Sequence, residues 1–446
     1  MLDRITSAAT LILITAVVWL LGSVSTAEAR GFDQFSISRG VGVSAHHPSE
    51  GDLRAMARAG IRIVRTDMSW DSTESAPGQY DWSHFLTLAK QITDLGMRPL
   101  FVLAYGNSLH ASGIEREPNG ESRPFAPATN SERIAFALYA AAAVKALKMY
   151  DPIWEIWNEP EHDGFWPPKS DSNAYIAMAE RTCSAMRRAD AEATIIGPAA
   201  ARVPTDTNPA PELLVLISKA PLARCLDAIS VHPYISSNKM DTTSWMWSQL
   251  RSIFSLQRSS DRKLLTISSE WGISTVLTKG DARAQAIYLA KMMVLNAANY
   301  VPVSIWYDWR DDGTDPTNNE QNFGLIAFDG APKPALRALS TFADRIGKTK
   351  AACSRESSAG GLQVFVFSRE GDDVWMAAWT NGEYFSRRHE LSLPEGVVAK
   401  EAVDILGAPV LRNSPRHISI GSEPIYVRLS TDLNDSPATL CNKLAH

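Results

Sequence analysis

From residue 40 onward, short apolar runs rich in Val, Ile and aromatic residues alternate with longer stretches whose apolar positions recur at helical spacing. The runs are GVGVSA (40–45), IRIVRTD (61–67), RPLFVLAY (98–105), IWEIWNE (153–159), ATIIGPA (193–199), DAISVHP (227–233), LLTISSE (264–270) and PVSIWYD (302–308). Between them stand segments such as WSHFLTLAKQITDLG, SERIAFALYAAAAVKALK, SNAYIAMAERTCSAMRRAD and ARAQAIYLAKMMVLNAANY, which read as helices. Strands alternating with helices predict a parallel sheet. Eight of them is the number that closes a (β/α)8 TIM barrel. An open doubly wound sheet is the competing arrangement, but no Gly-x-Gly-x-x-Gly follows the first strand. The chain also has no P-loop, no Gly-x-Ser-x-Gly elbow and no His-Glu-x-x-His zinc pair.

After about residue 346 the pattern changes. LQVFVFSRE, DDVWMAAWTNG, RHELSLPE, EAVDILG and EPIYVRLS read as short strands separated by Gly, Asp, Asn and Pro, with no long helix among them. They predict a small C-terminal antiparallel β-sandwich. Residues 30–346 are thus expected to form the barrel and 347–446 the β domain, with the boundary near DRIGKTKAACSRESSAGG. Residues 1–29 stand apart: an apolar stretch from about Ala8 to Leu21 precedes Ala27-Glu28-Ala29, a small-residue cleavage site. The stretch is short for a spanning helix, which wants about 20 residues. Cleavage after Ala29 is the first expectation and retention as an inner-membrane anchor the second. Both place the body of the protein in the periplasm or outside the cell.

Composition narrows the function classes. The chain has 446 residues, 45% hydrophobic and 21% charged, enough for a large core. Its net charge of −5 offers no basic surface for nucleic acid. Thirteen tryptophans are unusual and suggest that some line a cleft. The four cysteines, Cys183, Cys225, Cys353 and Cys441, have no metal or redox spacing. In an oxidising compartment the preferred pairs are Cys183–Cys225 and Cys353–Cys441, each within one proposed domain; buried free thiols are the rival reading.

In such a barrel the active site forms where the strands end. The second strand ends near Arg65 and Asp67, the fourth on Asn158 and Glu159, and the sixth on His232 and Tyr234. The seventh ends on Glu270 and Trp271, and the eighth reaches Trp306, Tyr307, Asp308 and Trp309. Two glutamates would face one mouth among aromatics that stack on sugars, which is what glycoside hydrolysis requires. No metal or other cofactor is expected: His46 and His47 are adjacent but have no evident carboxylate partner or third ligand, and belong to the cleft lining or the surface.

WNEP (157–160) and SEWG (269–272) resemble the acid/base and nucleophile motifs of clan A glycoside hydrolases. VHPY (231–234), WDSTESAPGQYDW (70–82) and NFGLIAFDGAPKPAL (322–336) are similar to further segments of that clan. The resemblance is closest to family 39, and within it to bacterial exopolysaccharide endoglycosidases that carry a C-terminal β domain. It covers residues 40–345 and is weaker over 346–435. It implies a retaining double displacement on a polysaccharide, with Glu159 as acid/base and Glu270 as nucleophile. Arg65 and Tyr234 would support the charge and orientation of Glu270, and Asn158 would bind the sugar 2-hydroxyl. His232 is either a substrate contact or a hydrogen-bonded support. Trp306 or Trp309 would form the sugar platform, with Trp166 and Trp271 as further substrate contacts. Glu155, on the same strand as Glu159, is expected to be structural.

Two rivals share these features. One is an exo-acting glycosidase of β-xylosidase type, to which the loop 106–130 would give a closed cleft. The other is a non-catalytic polysaccharide-binding barrel serving an exopolysaccharide assembly machine, which would be expected to have lost one carboxylate; both are present here.

Overall fold

A computed structural model describes residues 32, 37–116, 120, 122–255, 264–356, 361–368, 374–381, 389–410, 412–431, 440 and 443–444. The expected signal segment 1–29 lies outside the described residues. Among those residues, no helix is long and apolar enough to cross a membrane.

All eight expected barrel strands form: β1 (Val41–Ser44), β2 (Ile63–Ser69), β3 (Arg98–Ala104), β4 (Ile153–Ile156), β5 (Thr194–Ala200), β6 (Ala228–Val231), β7 (Leu265–Trp271) and β8 (Ser304–Trp306). They pair in sequence order, and β1 closes on β8 through Val41↔Ser304, Gly42↔Ile305 and Val43↔Trp306. The seam is tight. A Cβ on Gly40 would sit 1.8 Å from the Pro302 carbonyl oxygen, so this approach admits no side chain.

Capping signals set where the outer helices begin. Thr129 and Glu132 form a reciprocal capping box at the start of Asn130–Leu147, and Asp171 caps Ser172–Ala189. These two helices pack against each other. Ala282–Ala298 differs in having apolar residues all round, with Tyr288, Met292, Met293 and Leu295 all buried. A helix of that kind needs cover on both sides. The barrel supplies one side and the C-terminal strands the other.

Those strands form two antiparallel sheets. β9 (Lys350–Glu356), β10 (Leu362–Ser368), β11 (Val374–Thr380), β13 (Val397–Asp404) and β16 (Ile425–Thr431) make a sheet ordered β9-β10-β11-β16-β13. β12 (His389–Ser392), β14 (Arg412–Ser414) and β15 (His417–Ile420) make a smaller one ordered β12-β15-β14. Side chains alternate across the larger sheet. Phe365, Phe367, Trp375 and Trp379 join the barrel's core, while Val364, Val366, Met376 and Val427 pack with Leu391, Ile418 and Ile420 of the smaller sheet. Polar contacts reinforce the join. Arg283 pairs with Glu423 at 2.6 Å, Arg345 with Glu401 at 3.0 Å, and Lys291 lies 5.7 Å above the Trp379 ring.

The expected disulfide Cys183–Cys225 is present. Cys353 is also disulfide-bonded, and its expected partner Cys441 lies outside the described residues. The Cys183–Cys225 bond spans 42 residues and ties the helix Ser172–Ala189 to the short helix Leu222–Cys225 before β6. Closing a loop of that length removes chain entropy from the unfolded state worth about 4 kcal/mol. The Cys183→Ala/Cys225→Ala protein should therefore unfold with a free energy about 2–4 kcal/mol lower in guanidinium titrations. An unchanged midpoint and slope would show that the bond adds no stability.

Candidate active site

Arg65 organises the barrel mouth. It lies on β2, is 4% exposed, and spends its guanidinium on three acceptors from two other strands and their ends. Nε donates to Glu155 Oε2 at 2.8 Å, Nη1 to Glu270 Oε2 at 2.6 Å, and Nη2 to Asn158 Oδ1 at 2.8 Å. Arginine only donates, so these bonds fix the orientation of the Asn158 amide. Its oxygen is taken by Arg65, leaving the NH2 group for a ligand acceptor. Glu155 is fully buried, in agreement with its expected structural role.

Glu159 reaches the mouth through an unusual turn. Trp157 and Glu159 both have positive φ, 72° and 44°, in the left-handed region that favours glycine. Hydrogen bonds hold this costly conformation: Trp157 N donates to Leu103 O at 3.1 Å and Glu159 N to Ala199 O at 3.2 Å. The end of β4 is thus tied to the strands on both sides.

Glu270, at the end of β7, has donors on both oxygens. Tyr234 Oη donates to Oε1 at 2.6 Å, opposite the Arg65 bond to Oε2. Burial alone would raise the Glu270 pKa, but the charges of His232 and Arg65 and the Tyr234 hydrogen bond outweigh it and hold the carboxyl below its ordinary value. Beneath the two glutamates lies His232, fully buried, with Nδ1 2.6 Å from Glu159 Oε1 and 3.7 Å from Glu270 Oε1. Burial opposes its protonation, yet Glu270 and Glu159 raise its pKa above the usual histidine value. One oxygen of Glu159, one of Glu270 and one His232 nitrogen lie within 4.8 Å of one another.

Several expected substrate contacts are placed elsewhere. His232 has no exposed surface, so it supports the glutamates from below and cannot touch a sugar. Trp306 and Trp271 are fully buried and pack edge to face, with indole N–H groups on Phe323 O and Ser304 Oγ. Trp309 is 3% exposed and donates to Asp52 Oδ1 at 2.8 Å. Trp166 fills the space between Trp157 and Tyr175. None of the four offers a ring face to a ligand. The ring that β8 turns toward the mouth is Tyr307, half-buried against Phe323 and His46. Tyr234, 41% exposed, presents a second ring there.

The mouth is acidic beyond its two glutamates. Asp308 is 3% exposed, and its carboxyl is pushed up to about 9 by burial and then by Asp312 and Asp311. Burial, then Glu270, Asp312 and Glu159, raises the pKa of Glu320. Asp312 and Glu320 escaped the sequence reading because they sit in the loop after β8, beyond the strand-end signal. A cavity of about 610 Å3 adjoins this region on the side of β1 to β3, lined by His46, Asp67, His84 and Tyr105.

The chain matches no protein-family model and no curated protein sequence. Solved structures do match. A family 39 glycoside hydrolase from Bacteroides cellulosilyticus WH2 is 23% identical over 89% of this chain and 82% of its own, with a TM-score of 0.73. The fold is that of a family 39 glycoside hydrolase. A monomeric β-xylosidase from Caulobacter crescentus CB15 is 15% identical over 88% of this chain and 96% of its own, with a TM-score of 0.62. A family 30 subfamily 8 xylanase from Clostridium acetobutylicum is 15% identical over the same shares, with a TM-score of 0.61.

The Tyr234–Glu270 contact sets a pH test. A carboxylate attacks only when ionised, so a nucleophilic role for Glu270 predicts that activity falls as pH drops through its depressed pKa. Tyr234→Phe removes one of the groups that depress it. The acid limb of the kcat/KM profile should therefore move to higher pH, and the plateau should fall about tenfold. An unmoved limb would detach Tyr234 from the ionisation of Glu270.

Proposed function

We propose that the protein is an exported, retaining glycoside hydrolase that cleaves within chains of a bacterial exopolysaccharide, as PslG-type endoglycosidases do. The observation that carries this reading is the approach of Glu159 and Glu270, with oxygens within 4.8 Å of each other at the ends of β4 and β7. Retaining enzymes place their carboxyls about 5–5.5 Å apart, whereas inverting enzymes leave about 6.5–9.5 Å for a water.

In this mechanism Glu270 attacks the anomeric carbon while Glu159 gives its proton to the departing glycosidic oxygen. The bond to the leaving sugar breaks as the ester to Glu270 forms. Glu159, now ionised, takes a proton from water, whose oxygen displaces Glu270 and restores both groups. The hydrogen bonds from Arg65 and Tyr234 keep Glu270 anionic and aimed. The NH2 of Asn158 is free to hold the sugar 2-hydroxyl, a contact that strengthens in the transition state.

The N-terminal apolar segment and the Cys183–Cys225 bond both support an oxidising, exported location, periplasmic or secreted. A retained segment would keep the enzyme at the inner membrane, beside exopolysaccharide assembly machinery. The cavity on the side of β1 to β3, lined by His46, Asp67 and Tyr105, gives room for further sugar residues and supports endo action. The β-xylosidase among the similar structures keeps an exo-acting enzyme as the second reading.

The test uses the exopolysaccharide of the producing organism. Product ladders read by mass spectrometry support endo cleavage; monosaccharide alone supports the exo reading. Glu159→Gln should lower kcat/KM by about 100- to 10,000-fold. Glu270→Gln should abolish turnover while polymer binding persists. A 2-fluoro glycosyl adduct should form on Glu270, and the first product should keep the anomeric configuration. An adduct on another residue, or an inverted product, overturns the mechanism.

A further inference from the structure

We propose that His46, Asp308 and Asp312 form a site for one divalent transition-metal ion of the Zn2+ or Mn2+ class at the rim of the barrel mouth. His46 follows β1, and both aspartates follow β8. Barrel closure joins these distant stretches, and backbone bonds fix their spacing: Trp309 N donates to Ser44 O at 2.9 Å, and Leu325 N to Asp308 O at 3.0 Å. One ligand atom from each of the three side chains lies within 4.8 Å of the other two.

The second observation is the state of Asp308. It is 3% exposed, and its carboxylate has no hydrogen-bond or ion-pair partner among the described residues. A carboxyl group left unpaired at so buried a position is unfavourable whether charged or neutral, and such groups are ordinarily satisfied by a hydrogen-bond partner or a cation. The nearest ammonium does not serve it. Lys333 Nζ is committed to Asp311, at 2.8 and 3.0 Å from its two oxygens. The cation that fits is therefore one that His46 and Asp312 help to hold.

The donor set indicates the class of ion. One imidazole with two carboxylates suits Zn2+ or Mn2+ better than Ca2+, which takes oxygen ligands. Three protein ligands are one fewer than a closed structural zinc site uses. His46 and Asp312 are both exposed, so the open positions face the cleft, where a pair of sugar hydroxyls can complete the shell. A second cluster, Glu159, His232 and Glu270, also meets the spacing. There, however, Arg65 and Tyr234 already occupy both Glu270 oxygens, and His232 Nδ1 is engaged with Glu159 Oε1.

Isothermal titration of the chelator-stripped full-length protein with ZnCl2 and, separately, MnCl2 tests the site without any substrate, so the outcome is independent of glycosidase activity. Binding of one ion per chain by at least one metal is expected. His46→Ala and Asp312→Ala, both at exposed positions and checked for native circular dichroism, should each weaken it about tenfold or more. Glu159→Gln should bind like the parent protein. Absence of binding by both metals, binding untouched by the His46 and Asp312 changes, or loss of binding in Glu159→Gln would overturn the proposal.

Discussion

A buried arginine holds the mouth of this barrel together. Arg65 comes from β2, yet its three bonded partners belong to β4, to the turn after it, and to β7. A guanidinium inside a protein is tolerable only when nearly every N–H finds an acceptor and its charge is balanced. Glu155 and Glu270 supply that balance, and the solution has consequences for each partner. Glu155 is locked inside the wall. Asn158 turns its NH2 outward. Glu270 is kept anionic in a place where burial alone would neutralise it.

The two mouth glutamates differ because their neighbours differ. Glu270 has an arginine and a tyrosine hydroxyl on its oxygens, both donors to an anion. Glu159 has His232, a partner that can give or take a proton, at 2.6 Å. Its backbone stands in a strained turn that hydrogen bonds to the two flanking strands help to hold in place. The pair is therefore asymmetric, one carboxylate held between two fixed donors and the other against a histidine ring.

The same physics explains how far the sequence could be read. The eight strands and the change of pattern near residue 346 were legible because burial imposes period 2 or 3.6 on any chain. Glu159 and Glu270 were legible because each ends an apolar strand with a charge. The tryptophans misled. Trp166, Trp271, Trp306 and Trp309 stand beside the site in sequence, but a large ring at the top of a barrel can turn inward as readily as outward. Here each indole N–H found an acceptor inside or packed against other rings, and Tyr307 took the outward place. The partners of His46 were hidden for another reason. They lie on the last strand's loop, and only barrel closure makes first and last strands neighbours.

The mouth is also backed, through one helix, by the C-terminal sheet. The loops after β7 and β8 are backed by the helix Ala282–Ala298, whose outer face is apolar apart from the buried Lys291. Were the larger sheet to come away from the barrel, its Phe365, Trp375 and Trp379 and that helix face would all meet water. An aromatic alone buries about 150–250 Å2, so exposing several would cost many times the contribution of the polar contacts at the join. Gln285 on the same helix donates to the Ile273 carbonyl at 2.9 Å and reaches the Phe323 carbonyl at 3.3 Å. Ile273 follows Glu270 by three residues, and Phe323 packs on both Tyr234 and Tyr307. The C-terminal strands thus act on the site through one helix: by covering its outer face, they fix the inner face that sets the height of Glu270 and the rings around it.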